Sequence, residues 1–360
     1  MECEHEIPAA SAAFFESLKA RAHKERLPLS ASFEVTTRCN LRCCHCYLGD
    51  PEGAHQRELN LAEACAVVDK IAGAGCLFLL FTGGEPLLQP DFAKIYRHAK
   101  ECGLAVRVFT NGTLVEAEMV QLFQAYPPLE VEISLYGATP EMYQQVTGSE
   151  RNYARCLAGI QRLLDGGVRV KLKTVLMRQN HAGLADMKAL ADRLGVPFRF
   201  DTAIFPTRAG DQRPLDCRLS PAAAAAAENE FRARSASSPD APRQPQIPST
   251  DLRNLLVCGA GRTTFAVDST GNMTPCLLMR GPKYDLLRGT FAEGWRQMEP
   301  VCQIKVATDS PCQTCPDVAY CHGCAPIFEM ETGNMAQPPA WLCDLARQRR
   351  ATKMKQNDLL

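Results

Sequence analysis

The chain has 360 residues, 46% hydrophobic and 22% charged, enough for about two or three domains of an ordinary globular protein. Forty basic against forty acidic residues leave no net charge, which speaks against a basic stripe for nucleic acid or a polybasic face for an acidic membrane. The acidic start Met1-Glu2-Cys3-Glu4-His5-Glu6 is not laid out as a signal peptide. The most apolar stretch, residues 71 to 81, is too short to span a bilayer and contains Gly73 and Gly75.

In chain order, residues 1–30 are expected to be an N-terminal helical extension. A strand follows over 33–37. Asn60 and Glu63 have the spacing of a cap and its reciprocal partner, opening a helix to about residue 74. The continuous apolar run 76–81 reads as a strand buried on both faces. Further strands are expected over 105–109, 130–135, 168–175 and 197–201, with helices over 90–102, 116–125, 152–165 and 184–194. Six strand–helix repeats in an α/β pattern imply a parallel sheet with right-handed crossovers, curled into a partial (β/α)6 TIM-like barrel over 31–206. Residues 207–250 are expected as a linker. It has an alanine-rich helix after Ser220-Pro221 and a flexible segment rich in Pro and Ser that lacks the bulk to order itself. A small, loop-rich, cysteine-dense domain is expected over 251–345, then a tail over 346–360.

One alternating face of the strands is charged or polar: Glu34 and Thr36; Arg107; Glu130, Glu132 and Ser134; Arg169, Lys171 and Lys173; Arg199 and Asp201. The other is Val, Ile, Leu and Phe and must face the helices, so the charged face is expected to point inward around a wet cavity for a polar ligand. The competing reading is that several of these are strand-end residues reaching solvent.

A chain with these features reads as cytosolic, and there its 18 cysteines are the anomaly, because clustered cysteines in a reducing compartment bind metal or react. Cys39, Cys43 and Cys46 follow the first strand in C-x3-C-x2-C spacing. That places three thiolates at the carboxyl edge of a parallel sheet, where ligands bind. A closed structural site wants four, so one metal position is left for something else. Thr82-Gly83-Gly84-Glu85-Pro86 follows the second strand, Phe109-Thr110-Asn111-Gly112 ends the third, and Ser134 ends the fourth.

With these motifs, residues 33 to 201 resemble the radical S-adenosylmethionine (radical SAM) enzymes. The resemblance implies a 4Fe–4S cluster on Cys39, Cys43 and Cys46, whose fourth iron takes the amino and carboxylate groups of S-adenosylmethionine. Its reductive cleavage would give a 5′-deoxyadenosyl radical that removes hydrogen from a substrate. It further implies cofactor contacts at Gly83, Gly84, Glu85, Pro86, Thr110, Asn111 and Ser134. Glu85 is expected to accept from the ammonium group. His45 stands where an aromatic residue usually lies near the adenine, and Lys173 is a candidate partner for the carboxylate. Cys44 is expected to be a bystander.

Cys258-x12-Gly271-x4-Cys276, then Cys312-x2-Cys315-x5-Cys321-x2-Cys324, then Cys343, are similar to the SPASM extension of many such enzymes, apart from a Cys321–Cys324 spacing one residue short. By that resemblance Cys312, Cys315, Cys321 and Cys343 hold a distal auxiliary iron–sulfur cluster, and Cys258, Cys276 and Cys324 a proximal one lacking a ligand. The missing donor is Cys217, Cys302, an oxygen or the substrate. A zinc ribbon is the alternative for residues 312 to 324. Cys3, Cys65, Cys76, Cys102 and Cys156 read as small buried hydrophobes, and His98, His181 and Asp186 as solvated helix residues.

The resemblance implies a peptide or protein substrate, oxidised after hydrogen removal with the auxiliary clusters as electron acceptors or substrate-binding groups. A low-potential donor such as flavodoxin or ferredoxin would supply the reducing electron. Leu277 after Cys276 replaces the aspartate of anaerobic sulfatase maturases. Only about 30 residues precede the first strand, so a separate leader-peptide-binding protein is expected. Two alternatives stand beside this. One is a small-molecule radical dehydrogenase or haem- or quinone-cofactor biosynthetic enzyme whose substrate carboxylates meet Arg169, Lys171, Lys173 and Arg199. The other is a non-catalytic iron–sulfur or zinc protein that binds a partner. Asp201 is a candidate acid or base.

Overall fold

The computed structural model describes residues 9–49, 57–235, 255–307, 310–321 and 323–357. Six parallel strands, β1 (Ser30–Glu34), β2 (Phe78–Thr82), β3 (Ala105–Thr110), β4 (Glu130–Ser134), β5 (Val170–Val175) and β6 (Phe198–Asp201), pair in sequence order. This is the partial barrel expected from the repeats. Their faces alternate as the sequence pattern requires. Phe33, Leu79, Phe81, Val106, Val108, Val131, Ile133 and Leu172 are buried in the core beneath the helices. Phe81, Phe92, Tyr96 and Phe123 join strand to helices through ring contacts 5.0–6.4 Å between centroids. The helix Leu61–Gly73 starts where Asn60 and Glu63 predict: the Asn60 side chain accepts from the Glu63 amide and the Glu63 carboxylate from the Asn60 amide.

The cysteine-dense segment is less separate than its sequence implies. Strand β7 (Thr264–Val267) lies parallel to β1, with Ser30 opposite Thr264 and Phe33 opposite Val267. Strands β8 (Asn272–Thr274) and β9 (Tyr284–Asp285) extend the same sheet antiparallel to nine strands. A four-residue apolar run between turns carries too little periodicity to be read in advance as a strand.

Two expectations change. The tail from residue 346 is part of the helix Ala340–Asn357, and residues 207–235 of the supposed linker are packed structure. The alanine-rich helix Pro221–Ser235 buries Ala224, Ala225 and Phe231. Arg349 binds Glu228 at 2.6 and 2.7 Å, and Trp341 donates to the Leu219 carbonyl at 2.8 Å. These partners are far apart in sequence, which is why composition alone suggested a linker. Residues 236–250 of that segment lie outside the described residues.

Candidate functional site

The loop after β1 is held from three sides. The Gly84 amide donates to the Thr36 carbonyl at 2.9 Å, and the Glu85 amide to that of Arg38 at 2.8 Å. The Arg42 and Cys44 amides donate to Thr147 and Val146 at 3.0 and 2.9 Å. The Arg208 amide donates to Tyr47 at 2.8 Å. Glu58 adds a brace that sequence reasoning missed: its carboxylate accepts from Thr36 Oγ1, the Thr37 amide and the Arg38 guanidinium.

The two glycines of the turn after β2 serve this loop. A Cβ on Gly83 would sit 2.2 Å from the Thr36 carbonyl oxygen, and one on Gly84 2.2 Å from that of Arg38. Gly83 also has φ +150°, where side chains are rarely tolerated. The close approach they allow is first of all between two backbone segments, whereas the sequence reading assigned it to a ligand.

Glu85 is also placed differently from expectation. It has no exposed surface, and its carboxylate accepts from Thr110 Oγ1 at 2.7 Å and from the Asn111 and Leu87 amides at 2.7 and 3.1 Å. It therefore fixes the end of β3 rather than presenting an acceptor to a ligand. Asn111 in turn donates to Asn40 in the cysteine loop at 2.8 Å, and Asn40 donates to Thr113 at 2.8 Å. Burial pushes the Glu85 carboxyl from its ordinary 4.5 up to about 7, against the pull of its hydrogen bonds. A carboxyl raised in the folded state contributes stability that is fully present below the unfolded value and lost as pH rises through the folded one. Thermal unfolding followed across pH 4.5 to 7 is thus expected to show a stability loss that Glu85→Gln flattens; an unaltered slope would refute the assignment.

His45 packs edge-on against Tyr136, with ring centroids 5.0 Å apart, and its Nδ1 is buried with no partner. Burial pushes it from 6.5 down to about 4. A base depressed in the folded state stabilises above its unfolded value, and that contribution is lost as pH falls through the folded one. His45→Phe removes an unpaired buried nitrogen. It is expected to raise stability at pH 7 by about 1 kcal/mol and to reduce acid sensitivity between pH 6.5 and 4, both read by chemical denaturation. Tyr136, unflagged by sequence, lies among the same groups: Cys43, Cys46 and Cys39 act on its hydroxyl, which also bonds Ser134.

The polar face of the sheet is present, and its charges largely satisfy one another. Arg107 meets Glu130 at 2.6 Å, and Arg199 and Lys173 meet Glu132 at 2.6 and 3.9 Å. Lys173, over the Phe109 ring, is pushed down to about 7 by burial. Arg107, Arg169 and Asp201 are exposed, as the strand-end reading held. Asp201 accepts from the Ala203 amide at 2.8 Å, a local turn that gives no support to an acid–base role.

Arg208 ties this face to the cysteines. Its guanidinium binds both Glu34 oxygens at 2.7 Å, donates to the Leu277 carbonyl at 2.5 Å and lies 5.0 Å from the Tyr47 ring centre. Burial pushes the thiols of both Cys46 and Cys276 up, and the Arg208 charge opposes that rise. No spacing in the sequence announces it, because its partners lie 174 and 69 residues away.

The C-terminal cysteines gather in two groups. Cys321 feels the charges of Cys343, Cys312 and Cys315, and Cys324 those of Cys276 and Cys258. Cys217 is instead hydrogen-bonded with Cys44 under the first loop, and buried Cys302 turns its sulfur to the Ala260 and Met298 carbonyls. No three of these cysteines, nor Cys39, Cys43 and Cys46, have sulfurs all within 4.8 Å of one another. Thiolates around one zinc, with bonds of about 2.3 Å, stand about 3.8 Å apart. The wider spacing does not fit a zinc ribbon.

The first trio fits an iron–sulfur cluster in its chemistry as well. Burial pushes Cys39 up to about 11 and Cys43 well above its ordinary value. Crowded buried thiols of this kind ionise when metal supplies the compensating charge.

Residues 33–191 match the Radical SAM superfamily. Those residues form a radical SAM domain. The chain is 31% identical over 185 residues to the AdoMet-dependent heme synthase of Methanosarcina barkeri, covering 51% of this chain and 53% of that protein. The chain thus spans about half the length of that relative. It is 26% identical over 324 residues to the mycofactocin maturase MftC of Mycobacterium ulcerans, covering 85% of each. The structure of Streptococcus suis SuiB bound to precursor peptide SuiA matches 91% of this chain and 81% of its own with a TM-score of 0.69; at 16% identity this is a likeness of fold. Among the described residues no helix is long and apolar enough to cross a membrane.

Proposed function

We propose that this radical SAM enzyme oxidatively modifies a peptide. Cys39, Cys43 and Cys46 hold the catalytic cluster, with His45, the turn from Gly83 to Pro86, Thr110, Asn111, Ser134 and Lys173 around S-adenosylmethionine. Bound there, cluster and cofactor supply a 5′-deoxyadenosyl radical that takes a hydrogen atom from the substrate. Glu85 works through Thr110 and the Asn111 backbone, fixing the β3 end against Asn40 of the cysteine loop. Gly83 and Gly84 keep that loop seated on β2. Cys312, Cys315, Cys321 and Cys343 hold a distal auxiliary cluster. Cys258, Cys276 and Cys324 hold a proximal one whose fourth position takes an oxygen or substrate donor, because neither Cys217 nor Cys302 is gathered with them. Arg208 sets the loops of Cys46 and Cys276 against each other across Glu34. Loaded with clusters, these auxiliary sites would accept the electron that the substrate radical gives up, together with a proton to solvent, on closing a new bond.

The observation that carries the peptide reading is the pairing of Arg199 and Lys173 with Glu132 and of Arg107 with Glu130. Cations so occupied leave the face poorly suited to a substrate bearing many carboxylates. The likeness to MftC over 85% of each chain supports the same reading. Similarity to a heme synthase favours the second reading, a tetrapyrrole substrate met by Arg169 and Lys171. A flavodoxin- or ferredoxin-type donor, a separate leader-binding protein and a cytoplasmic setting belong to the proposal.

Protein reconstituted without air should be given S-adenosylmethionine and a reductant, with either a short peptide encoded beside its gene or an iron coproporphyrin. Mass spectrometry is expected to show hydrogen loss from the peptide together with 5′-deoxyadenosine. Decarboxylation of the porphyrin, with the peptide untouched, would replace this reading by the second.

A further inference from the structure

The helices Leu61–Gly73 and Phe92–Glu101 pack side by side outside β2 and β3. Asp69 and His98, at the contact, place Oδ1 and Nε2 2.7 Å apart. The Cys102 sulfur lies 3.6 Å from that oxygen and 3.7 Å from that nitrogen. Among the described residues this is the one set of three His, Cys, Asp or Glu ligand atoms all within 4.8 Å of one another. The sequence reading had taken Cys65 and Cys102 for buried hydrophobes and His98 for a solvated residue; all three are half-buried beside Asp69.

The arrangement follows from helix geometry. Cys65 and Asp69 are one turn apart on the first helix, and His98 and Cys102 one turn apart on the second, so each helix offers two donors on one face. The Cys65 thiol is near enough to Asp69 and Cys102 for their charges to interact. Around a tetrahedral zinc with bonds of about 2.0–2.3 Å, donor atoms stand about 3.3–3.7 Å apart. Both sulfur distances match, and the Asp69–His98 edge needs to open by about half an ångström. Cys102 also ends its helix, its amide bonded to the His98 carbonyl, where the helix dipole favours a cation. A thiolate with an imidazole and a carboxylate suits zinc over magnesium or calcium.

We propose that Asp69, His98 and Cys102 bind a zinc ion that links the two helices, its fourth position open to solvent. The site precedes the amino end of β3, whereas Cys39, Cys43 and Cys46 follow the carboxyl end of β1. It lies at the opposite end of the sheet from the chemistry, and it stands whether or not the substrate is a peptide. The bland alternative is an ion pair with a thiol hydrogen-bonded to it.

The test uses protein with its iron–sulfur clusters reconstituted, titrated without air with cobalt(II) as a spectroscopic probe and with zinc. One tightly held cobalt per chain is expected, with thiolate charge-transfer and tetrahedral ligand-field bands displaced by zinc. His98→Gln and Cys102→Ser should each weaken binding at least about tenfold, with iron content unchanged. Zinc should also raise the unfolding temperature of the unsubstituted protein, a readout that holds even if a variant folds poorly. Undiminished bands in both variants, or no stoichiometric binding and no thermal shift in the unsubstituted protein, would overturn the proposal.

Discussion

Cys43→Ala, purified without air, is expected to lose about four irons per chain and to cleave S-adenosylmethionine at least about a thousandfold more slowly, a barrier increase of about 4 kcal/mol. Cys43 is the most deeply buried thiol of its trio, and its sulfur feels both Cys46 and Cys39. Its backbone also bonds the Cys46 amide at 3.1 Å, so the loop stays closed while the ligand is lost. An alanine there leaves two thiolates, too few to hold a cube of iron and sulfide. The control is Cys156→Ala, a buried cysteine outside the motif, which should keep its iron. Cleavage at full speed by the Cys43 variant would end the assignment of this loop as the catalytic centre.

Arg208→Met is expected to destabilise the protein by about 3–5 kcal/mol, the cost of leaving a buried charge without its partner. Glu34 is 1% exposed, and both its oxygens are bound by this one guanidinium. Arg208→Lys should recover only part of the loss, because an ammonium cannot make the same fork. Replacing both partners, Glu34→Leu with Arg208→Met, should be milder than the single change, since no charge is then stranded. Denaturant unfolding of the variants measures this directly. A single-variant cost under about 1 kcal/mol would mean the pair is screened like a surface one. Iron content should fall too, because Arg208 also favours the ionised forms of Cys46 and Cys276.

What the sequence made legible was whatever repeats or is close in the chain. Apolar runs and alternation located all six strands of the barrel, the first expected at 33–37 but found three residues earlier, and alternation sorted Glu34, Arg107, Glu132, Lys173 and Arg199 onto one face. The Asn60–Glu63 cap was readable because both its hydrogen bonds span three residues. The two sets of C-terminal cysteines came from resemblance rather than spacing; Cys321 lies near Cys343, Cys312 and Cys315, and Cys324 near Cys276 and Cys258. Long-range pairing was hidden. Arg208 with Glu34, Arg349 with Glu228 and β7 beside β1 join residues more than a hundred positions apart, and nothing local marks them. Glu85 shows a subtler limit, because its type fits an acceptor for a cation, and only burial reveals that backbone amides already occupy it.

The seam between β1 and β7 means the two halves are not modules. A fragment stopping short of residue 264 would bare the hydrogen-bonding rim of β1, the strand that leads into the Cys39–Cys46 loop. Such a piece is expected to clump or to recruit a foreign strand. Grafting this extension onto another barrel would require matching that seam register for register, so the two cysteine sets are inherited together.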